Sequence, residues 1–301
     1  MKIRLVKNGV FPVLRDLEGN LRKEGTKTGY PLSGTLQGEG KLSGIPVLFV
    51  RTAGCNLRCT WMNDQGNIDI CDTPYSSHHV TEYEEWEIDD IITVLEYNRE
   101  HLNHIVISGG EPTIQAPGLT ALASAIRKKL GMHITLETNG TNYLPELASD
   151  INLFSISPKL KSSEPSESKN KTLENPVDKA YIENHARLRK NTEVIQKYIN
   201  SCMQLESYYG DKVDTVPVKR QNHDFQLKFV VAREGDEQEI KQDFLSKLGF
   251  VRNEDVLVMP LGSNPDKLRE NTDLAAKMAI RNGWRFSPRI QIDVFGDVAG
   301  T

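Results

Sequence analysis

Short, continuous apolar runs recur along this chain at intervals too long for hairpins, and that alternation limits the fold more than any other feature. IPVLFVRTAG (45–54), HIVISGG (104–110), HITLETNG (133–140), LFSISPK (153–159), FQLKFVV (225–231), VLVMPLG (256–262) and RIQIDVF (289–295) all have strand length and β-branched content. Runs that are continuous rather than alternating suit strands buried on both faces, as in a parallel sheet. Helix patterns lie between them. In EIDDIITVLEYN, Ile88, Ile91, Ile92 and Leu95 fall on one face, while Glu87, Asp89 and Asp90 suit a helix N-terminus. APGLTALASAIRKKLG ends in a basic turn followed by Gly131, a suitable C-cap. Strand–helix–strand units of this kind imply right-handed crossovers and a parallel sheet or barrel.

Two regions depart from that rhythm. Residues 1–35 read as an N-terminal extension with a strand of its own. KSSEPSESKNKTLEN (161–175) is polar, serine-rich and without apolar period, so it is expected to be a mobile loop. It leads into 177–203, where Ala180, Tyr181, Leu188, Ile195, Ile199 and Met203 keep a rough helical stripe. Residues 161–223 therefore read as an insertion, loop then helix, inside one βα unit of a single 1–301 domain.

Composition enters as a set of exclusions. With 301 residues, a net charge of −4 and no basic stripe, bulk nucleic-acid binding is not expected. No stretch approaches the ~18–20 apolar residues of a membrane span, and the start MKIRLVKNGVFPV lacks a leader's apolar core. Four cysteines are too few for a disulfide scaffold. A cytoplasmic protein with reduced thiols is expected.

Three of those four cysteines crowd into GCNLRCTWMNDQGNIDICDTPYS (54–76): Cys55, Cys59 and Cys71. They sit just past a strand end, where α/β folds collect functional groups. A structural zinc site wants four closed ligands, and His78 or His79 could complete one. Three thiolates without a fourth suit an iron–sulfur cluster with one open iron. Cluster, zinc and unliganded thiols all remain open on spacing alone. Cys202 lies apart and reads as structural. Nearby, Ser108, Gly109, Gly110, Glu111 and Pro112 follow a strand directly. Paired glycines allow close approach of a ligand, and Glu111 could accept from an ammonium. The bland alternative is a tight strand-to-helix turn. Arg51 sits in an apolar strand run, which is costly unless it is paired, either in a salt bridge or with an anionic ligand.

These segments taken together, in order, carry a resemblance: LQGEG (36–40), VRTAGCNLRC (50–59), CDTPYS (71–76), ISGGEPTIQ (107–115), LETNGT (136–141), SISPKL (155–160), QLKFVV (226–231) and RIQIDVFGDVAGT (289–301). The chain resembles the radical S-adenosylmethionine enzymes and, within them, the 7-carboxy-7-deazaguanine synthases of queuosine biosynthesis. Trp61 follows Cys59 as expected, but nine residues, 62–70, enlarge the gap before Cys71. The resemblance implies an α/β fold, an incomplete, modified (β/α) barrel with the site at the strands' C-terminal ends. It implies a 4Fe-4S cluster on Cys55, Cys59 and Cys71, with S-adenosylmethionine on the open iron. Reductive cleavage would then convert 6-carboxy-5,6,7,8-tetrahydropterin to 7-carboxy-7-deazaguanine, with loss of ammonia. Cofactor contacts are implied for Ile70, Asp72, Gly110, Glu111, Ser157, Pro158, Lys159, Met259, Pro260, Leu261 and Gly262. The pterin substrate would meet Leu36, Gln37, Gly38, Glu39, Arg51, Ser108 and Thr301, and Mg2+ would meet Thr73, with Asp72 a rival ligand. An electron donor such as flavodoxin and a homodimer are implied partners. A glycyl-radical activating enzyme, or a zinc- or cluster-binding regulatory module without turnover, are the alternatives.

Overall fold

The computed structural model describes every residue except 64–65, 209–213, 297, 299 and 301, and within 205–216 it describes no side chains. Its strands are β1 (Lys2–Phe11), β2 (Thr35–Leu36), β3 (Pro46–Thr52), β4 (Thr60–Met62), β5 (Ile68–Ile70), β6 (Tyr83–Glu87) and β7 (His104–Gly109). They continue as β8 (His133–Thr138), β9 (Leu153–Ile156), β10 (Met203–Tyr208), β11 (Asp214–Lys219), β12 (Asp224–Val231), β13 (Val256–Pro260) and β14 (Arg285–Phe286). The helices are α1 (Ile88–Asn98), α2 (Ala116–Ala125), α3 (Glu167–Asn170), α4 (Lys179–Leu188), α5 (Thr192–Ser201), α6 (Gly235–Glu239), α7 (Pro265–Asn282) and α8 (Ile290–Phe295).

The main sheet runs β14-β13-β12-β9-β8-β7-β3-β1-β6. From β3 to β14 every pairing is parallel and the strands follow one another in chain order. Successive crossovers in one direction curl a sheet as a barrel does. The path ends at β6 and β14, which do not pair among the described residues, so the barrel is incomplete. The N-terminal strand β1 joins this sheet, antiparallel to both β3 and β6. Six of the seven apolar runs are strands at their expected places. Helix α1 buries Ile88, Ile91, Ile92 and Leu95 against the sheet's outer face. After α2 the chain continues through Ile126–Leu130 to Gly131, whose φ of 65° closes the helix in the left-handed region.

Two expectations need correction. RIQIDVF (289–295) is not a strand: Ile290–Phe295 is the short helix α8. Its alternating Ile290, Ile292 and Val294 mimic strand period, but Arg289 and Gln291 both turn to Glu39, and the Ile290 N–H donates to the Gly38 carbonyl at 3.1 Å. Tertiary contacts override the local pattern. The polar stretch 161–175 is not featureless either. It holds a 3-10 turn at Lys161–Ser163 and the one-turn α3, with Ser162 and Ser163 buried. Lys169 Nζ donates to the carbonyls of Thr60, Ser162 and Glu164 at 2.6, 2.9 and 2.5 Å. One cationic donor on three carbonyls ties the stretch to itself and to β4. Beyond it, the helical stripe divides into α4 and α5, and the β10–β11 hairpin follows.

Candidate active site

The parallel strands set a row of polar side chains on the sheet's inner face. Arg51 lies opposite Ser108, Glu137 opposite Ser155, and Ser155 opposite Gln226. Ser108 Oγ donates to Glu137 Oε2 at 2.6 Å, and Gln226 Nε2 to Ser155 Oγ at 2.7 Å. Lys228, two residues beyond Gln226, shares that face because strand side chains alternate. The row opens into a cavity of about 270 Å³ at the C-terminal ends of the strands.

Most of the expected site residues line that one cavity. Cys55, Cys59, Cys71 and Thr73 are on its wall, as are Leu36, Gln37, Gly38, Glu39, Arg51 and Ser108. So are Ile70, Asp72, Gly110, Ser157, Lys159, Met259, Pro260, Leu261 and Gly262. Glu111 and Pro158 are not. Glu111 is fully buried and accepts from Thr113 N, Thr113 Oγ1, Thr138 Oγ1 and Asn139 N at 2.6–3.1 Å. Burial pushes its carboxyl up against those donors, and it serves as a hub joining the β7 and β8 turns. Thr301 lies outside the described residues.

The cysteine loop is held from both sides. Gly54 N donates to the Ser76 carbonyl and Glu111 N to the Gly54 carbonyl, at 2.9 and 2.8 Å. Gly110 must be glycine here, since a Cβ would fall 2.2 Å from Gly54 O and 2.4 Å from Ser76 O. All four cysteines are free thiols. Burial pushes the Cys59 thiol up to about 12, and burial with nearby Glu111 raises Cys55 further. Among the described residues no three His, Cys, Asp or Glu side chains are set around a single ion. Three thiols on one wall, Cys59 buried and Cys55 and Cys71 half-buried, nonetheless fit a multi-iron cluster, whose charge would hold them as thiolates. Cys202 is buried in the main core away from this wall, its Sγ 3.4 Å from the Asp224 carbonyl.

Much of the remaining wall is charged. Arg51 lies over the parallel rings of Phe11 and Phe49, 5.4 and 5.8 Å from their centroids, and its buried Nε has no hydrogen-bond partner. No carboxylate pairs with it among the described residues. Glu39, by contrast, is fully engaged. It pairs with Lys228, and it accepts from Arg289 Nε at 3.0 Å and Gln291 Nε2 at 2.9 Å. Burial alone would raise its carboxyl, but Lys228 and Arg289 hold it well below the usual range. Asp72 behaves likewise: burial opposes ionisation, and Arg289, 2.5 Å away, lowers it nevertheless. Gln37 is buried, with Nε2 3.4 Å from Glu137 Oε1 and Oε1 accepting from Glu39 N at 3.2 Å. Thr73 Oγ1 lies 3.4 Å from Cys71 Sγ, and Lys159 Nζ donates to Ser157 Oγ at 2.8 Å.

Several wall residues escaped the sequence reading: Glu137, Asn139, Ser155, Lys228, Arg289 and Gln291. Lys228 and Gln226 did leave a signal, as polar residues two apart in an otherwise apolar strand. His185 left none; it is completely buried, with Nε2 3.5 Å from Cys59 Sγ. Burial, then the cations Arg189, Lys159 and Lys169, hold its imidazole down to about 3.

A one-way parallel sheet with a three-thiol loop at its strand ends defines the class: the family described as "Radical SAM superfamily" matches residues 49–200. Within it, the 7-carboxy-7-deazaguanine synthase of Halobacterium salinarum is 32% identical over 272 residues, covering 89% of this chain and 90% of that one. The synthase of Rhodopirellula baltica is 31% identical over 265 residues, covering 88% and 85%. The chain belongs to the 7-carboxy-7-deazaguanine synthase family. The crystal structure of QueE from Escherichia coli superposes with a TM-score of 0.53 at 19% identity, over 95% of this chain and 93% of that one, which supports the fold.

Proposed function

We propose that this protein converts 6-carboxy-5,6,7,8-tetrahydropterin to 7-carboxy-7-deazaguanine with loss of ammonia, acting as a carbon–nitrogen lyase. One observation carries the substrate assignment. The Arg51 guanidinium, in cation–π contact with two aromatic rings and in no ion pair among the described residues, faces the same cavity as Cys55, Cys59 and Cys71. A planar fork held this way suits a carboxylate. Cys55, Cys59 and Cys71 would hold a 4Fe-4S cluster, which together with S-adenosylmethionine supplies the hydrogen-abstracting chemistry when bound.

The remaining residues bind and orient. Gly110, Ser157, Lys159 and the Met259–Gly262 strand end would border the cofactor, with Ile70 and Asp72 on the cysteine-loop side. Gln37, Ser108 and Glu137 form a hydrogen-bonded set that offers both donor and acceptor to a heterocycle edge. Leu36 and Gly38 close that side. Glu39 would border the pterin ring, and it also holds Lys228, Arg289 and Gln291 in place. Thr73, with Asp72 beside it, would offer oxygens to Mg2+, most of whose ligands would be substrate and water. Thr301 would meet the pterin ring. We further propose a flavodoxin-type electron donor, a homodimer, a cytoplasmic location, and residues 161–223 as an insertion in one βα unit. Among the described residues no helix is long and apolar enough to cross a membrane.

The test is anaerobic reconstitution with iron and sulfide, then incubation with reductant, S-adenosylmethionine and the carboxypterin, followed by mass spectrometry. The deazaguanine acid and ammonia are expected. A reconstituted protein that cleaves S-adenosylmethionine yet leaves the carboxypterin intact would overturn the substrate assignment.

A further inference from the structure

We propose that His185, on α4, donates a hydrogen bond from Nε2 to the Cys59 sulfur and so raises the reduction potential of the cluster that Cys55, Cys59 and Cys71 hold. The proposal rests on the cluster reading above.

One face of α4 is built onto the cysteine loop. Tyr181, His185 and Leu188, spaced four and three apart, lie on one side of the helix. The guanidinium of Arg58 sits 3.9 Å from the centre of the Tyr181 ring, a cation–π contact from the loop itself. Leu188 packs with Leu57, Cys59 and Trp61. At the helix end, buried Arg189 is fixed by Glu164 and Glu239, each at 2.5 Å. Lys169 Nζ, upstream, binds the carbonyl of Thr60, the residue after Cys59. His185 lies between these anchors, fully buried, with its Nε2 3.5 Å from Cys59 Sγ.

The tautomer follows from the partners. Nδ1 is buried with no hydrogen-bond partner among the described residues. Placing the proton there would strand a donor and aim a lone pair at the sulfur. Placing it on Nε2 leaves only an acceptor unpaired and gives the sulfur a donor. Hydrogen bonds to ligand sulfurs are among the protein's levers on iron–sulfur potentials, because they stabilise the more negative reduced state. His78 differs: its Nε2 meets the Cys59 carbonyl at 3.1 Å, not the sulfur. His185 is thus a positioning residue with an electrostatic effect, contributed by a segment remote in sequence.

The test uses reconstituted protein titrated electrochemically under anaerobic conditions, with the reduced cluster followed by electron paramagnetic resonance. In His185→Phe the reduced-to-oxidised ratio at a fixed potential should fall about tenfold, a ~59 mV drop for one electron. His185→Gln, which keeps a donor, should recover most of that shift, and His78→Phe should not move it. If His185→Phe fails to hold iron, the wild-type enzyme still decides. With 15N-labelled histidine and no S-adenosylmethionine, electron–nuclear double resonance should show a histidine nitrogen coupled to the reduced cluster, retained in His78→Phe. An unmoved midpoint in His185→Phe, or no histidine coupling in the wild type, overturns the proposal while leaving the cluster reading intact. A wild-type protein that takes up no iron and sulfide would instead defeat the cluster reading.

Discussion

The strand-end loops and the 161–223 segment meet at Cys59, but they are built on opposite principles. The turns after β7, β8, β9, β12 and β13 are short, and like the long cysteine loop after β3 they follow strands whose register is set by a buried sheet, so their side chains converge at one end of it. The 161–223 segment has no such frame. It reaches the site through individual side chains: Lys169 on the Thr60 carbonyl, Tyr181 against Arg58, His185 beside Cys59. The sheet places reactive groups by topology, and the segment adjusts one of them by contact. Losses should therefore be total on the strand-end side and graded on the other.

The largest expected effect is at the thiols. Replacing Cys55, Cys59 or Cys71 by Ala should abolish the cluster's visible absorbance after reconstitution and all turnover, because a missing ligand breaks the site. Cys202→Ala, in the core, should keep both. A Cys71→Ala protein that retained the cluster would remove the loop after β5 from the site.

Next comes Arg51. Arg51→Ala should weaken use of the carboxypterin by ~2–4 kcal/mol, the scale for leaving a desolvated carboxylate without its partner. S-adenosylmethionine cleavage without substrate should persist, since the cofactor-side residues are untouched. Steady-state product formation measured beside that cleavage separates the two, and equal losses in both would make Arg51 a structural residue.

The graded side is sampled by Lys169. Lys169→Ala removes a cation from three carbonyls and should cost ~2 kcal/mol in urea unfolding, within the range for charged hydrogen bonds. Lys171→Ala, on an exposed side chain, should stay within ~0.5 kcal/mol. The smallest effect is in proteolysis. First cleavage is expected within 171–176, exposed apart from half-buried Leu173, and not within the anchored 162–170. Early cleavage at 162–170 would return the whole stretch to the mobile loop its composition suggests.

What could be read from the sequence follows the same division. Continuous apolar runs announced β3, β7, β8, β9, β12 and β13, because burial on both faces leaves no room for polar alternation. Most of the expected site residues line one cavity, since each motif stands at a strand end. The exceptions have physical causes. Glu111 is adjacent to the site yet turned inward, and only its four donors reveal that. Arg289 and Gln291 belong to a run that alternates like a strand, and their long-range partner Glu39 makes it a helix end. Lys169 sits in a composition typical of disorder, and its effect depends on a carbonyl 109 residues away. His185 had no local mark, because the sulfur it meets is 126 residues distant. Contacts of that range are properties of the fold.

The central claim is that the cavity joining Arg51 to the three thiols brings the carbon bearing the substrate's carboxylate to the radical chemistry. The direct measurement uses carboxypterin deuterated at that carbon, incubated anaerobically with the reconstituted protein, reductant and S-adenosylmethionine. Deuterium is expected in the adenosyl group recovered from the reaction, with 7-carboxy-7-deazaguanine formed alongside. Deazaguanine formed with no deuterium in the adenosyl group, or a deuterated carboxypterin recovered unchanged beside a reduced cluster, would contradict the account.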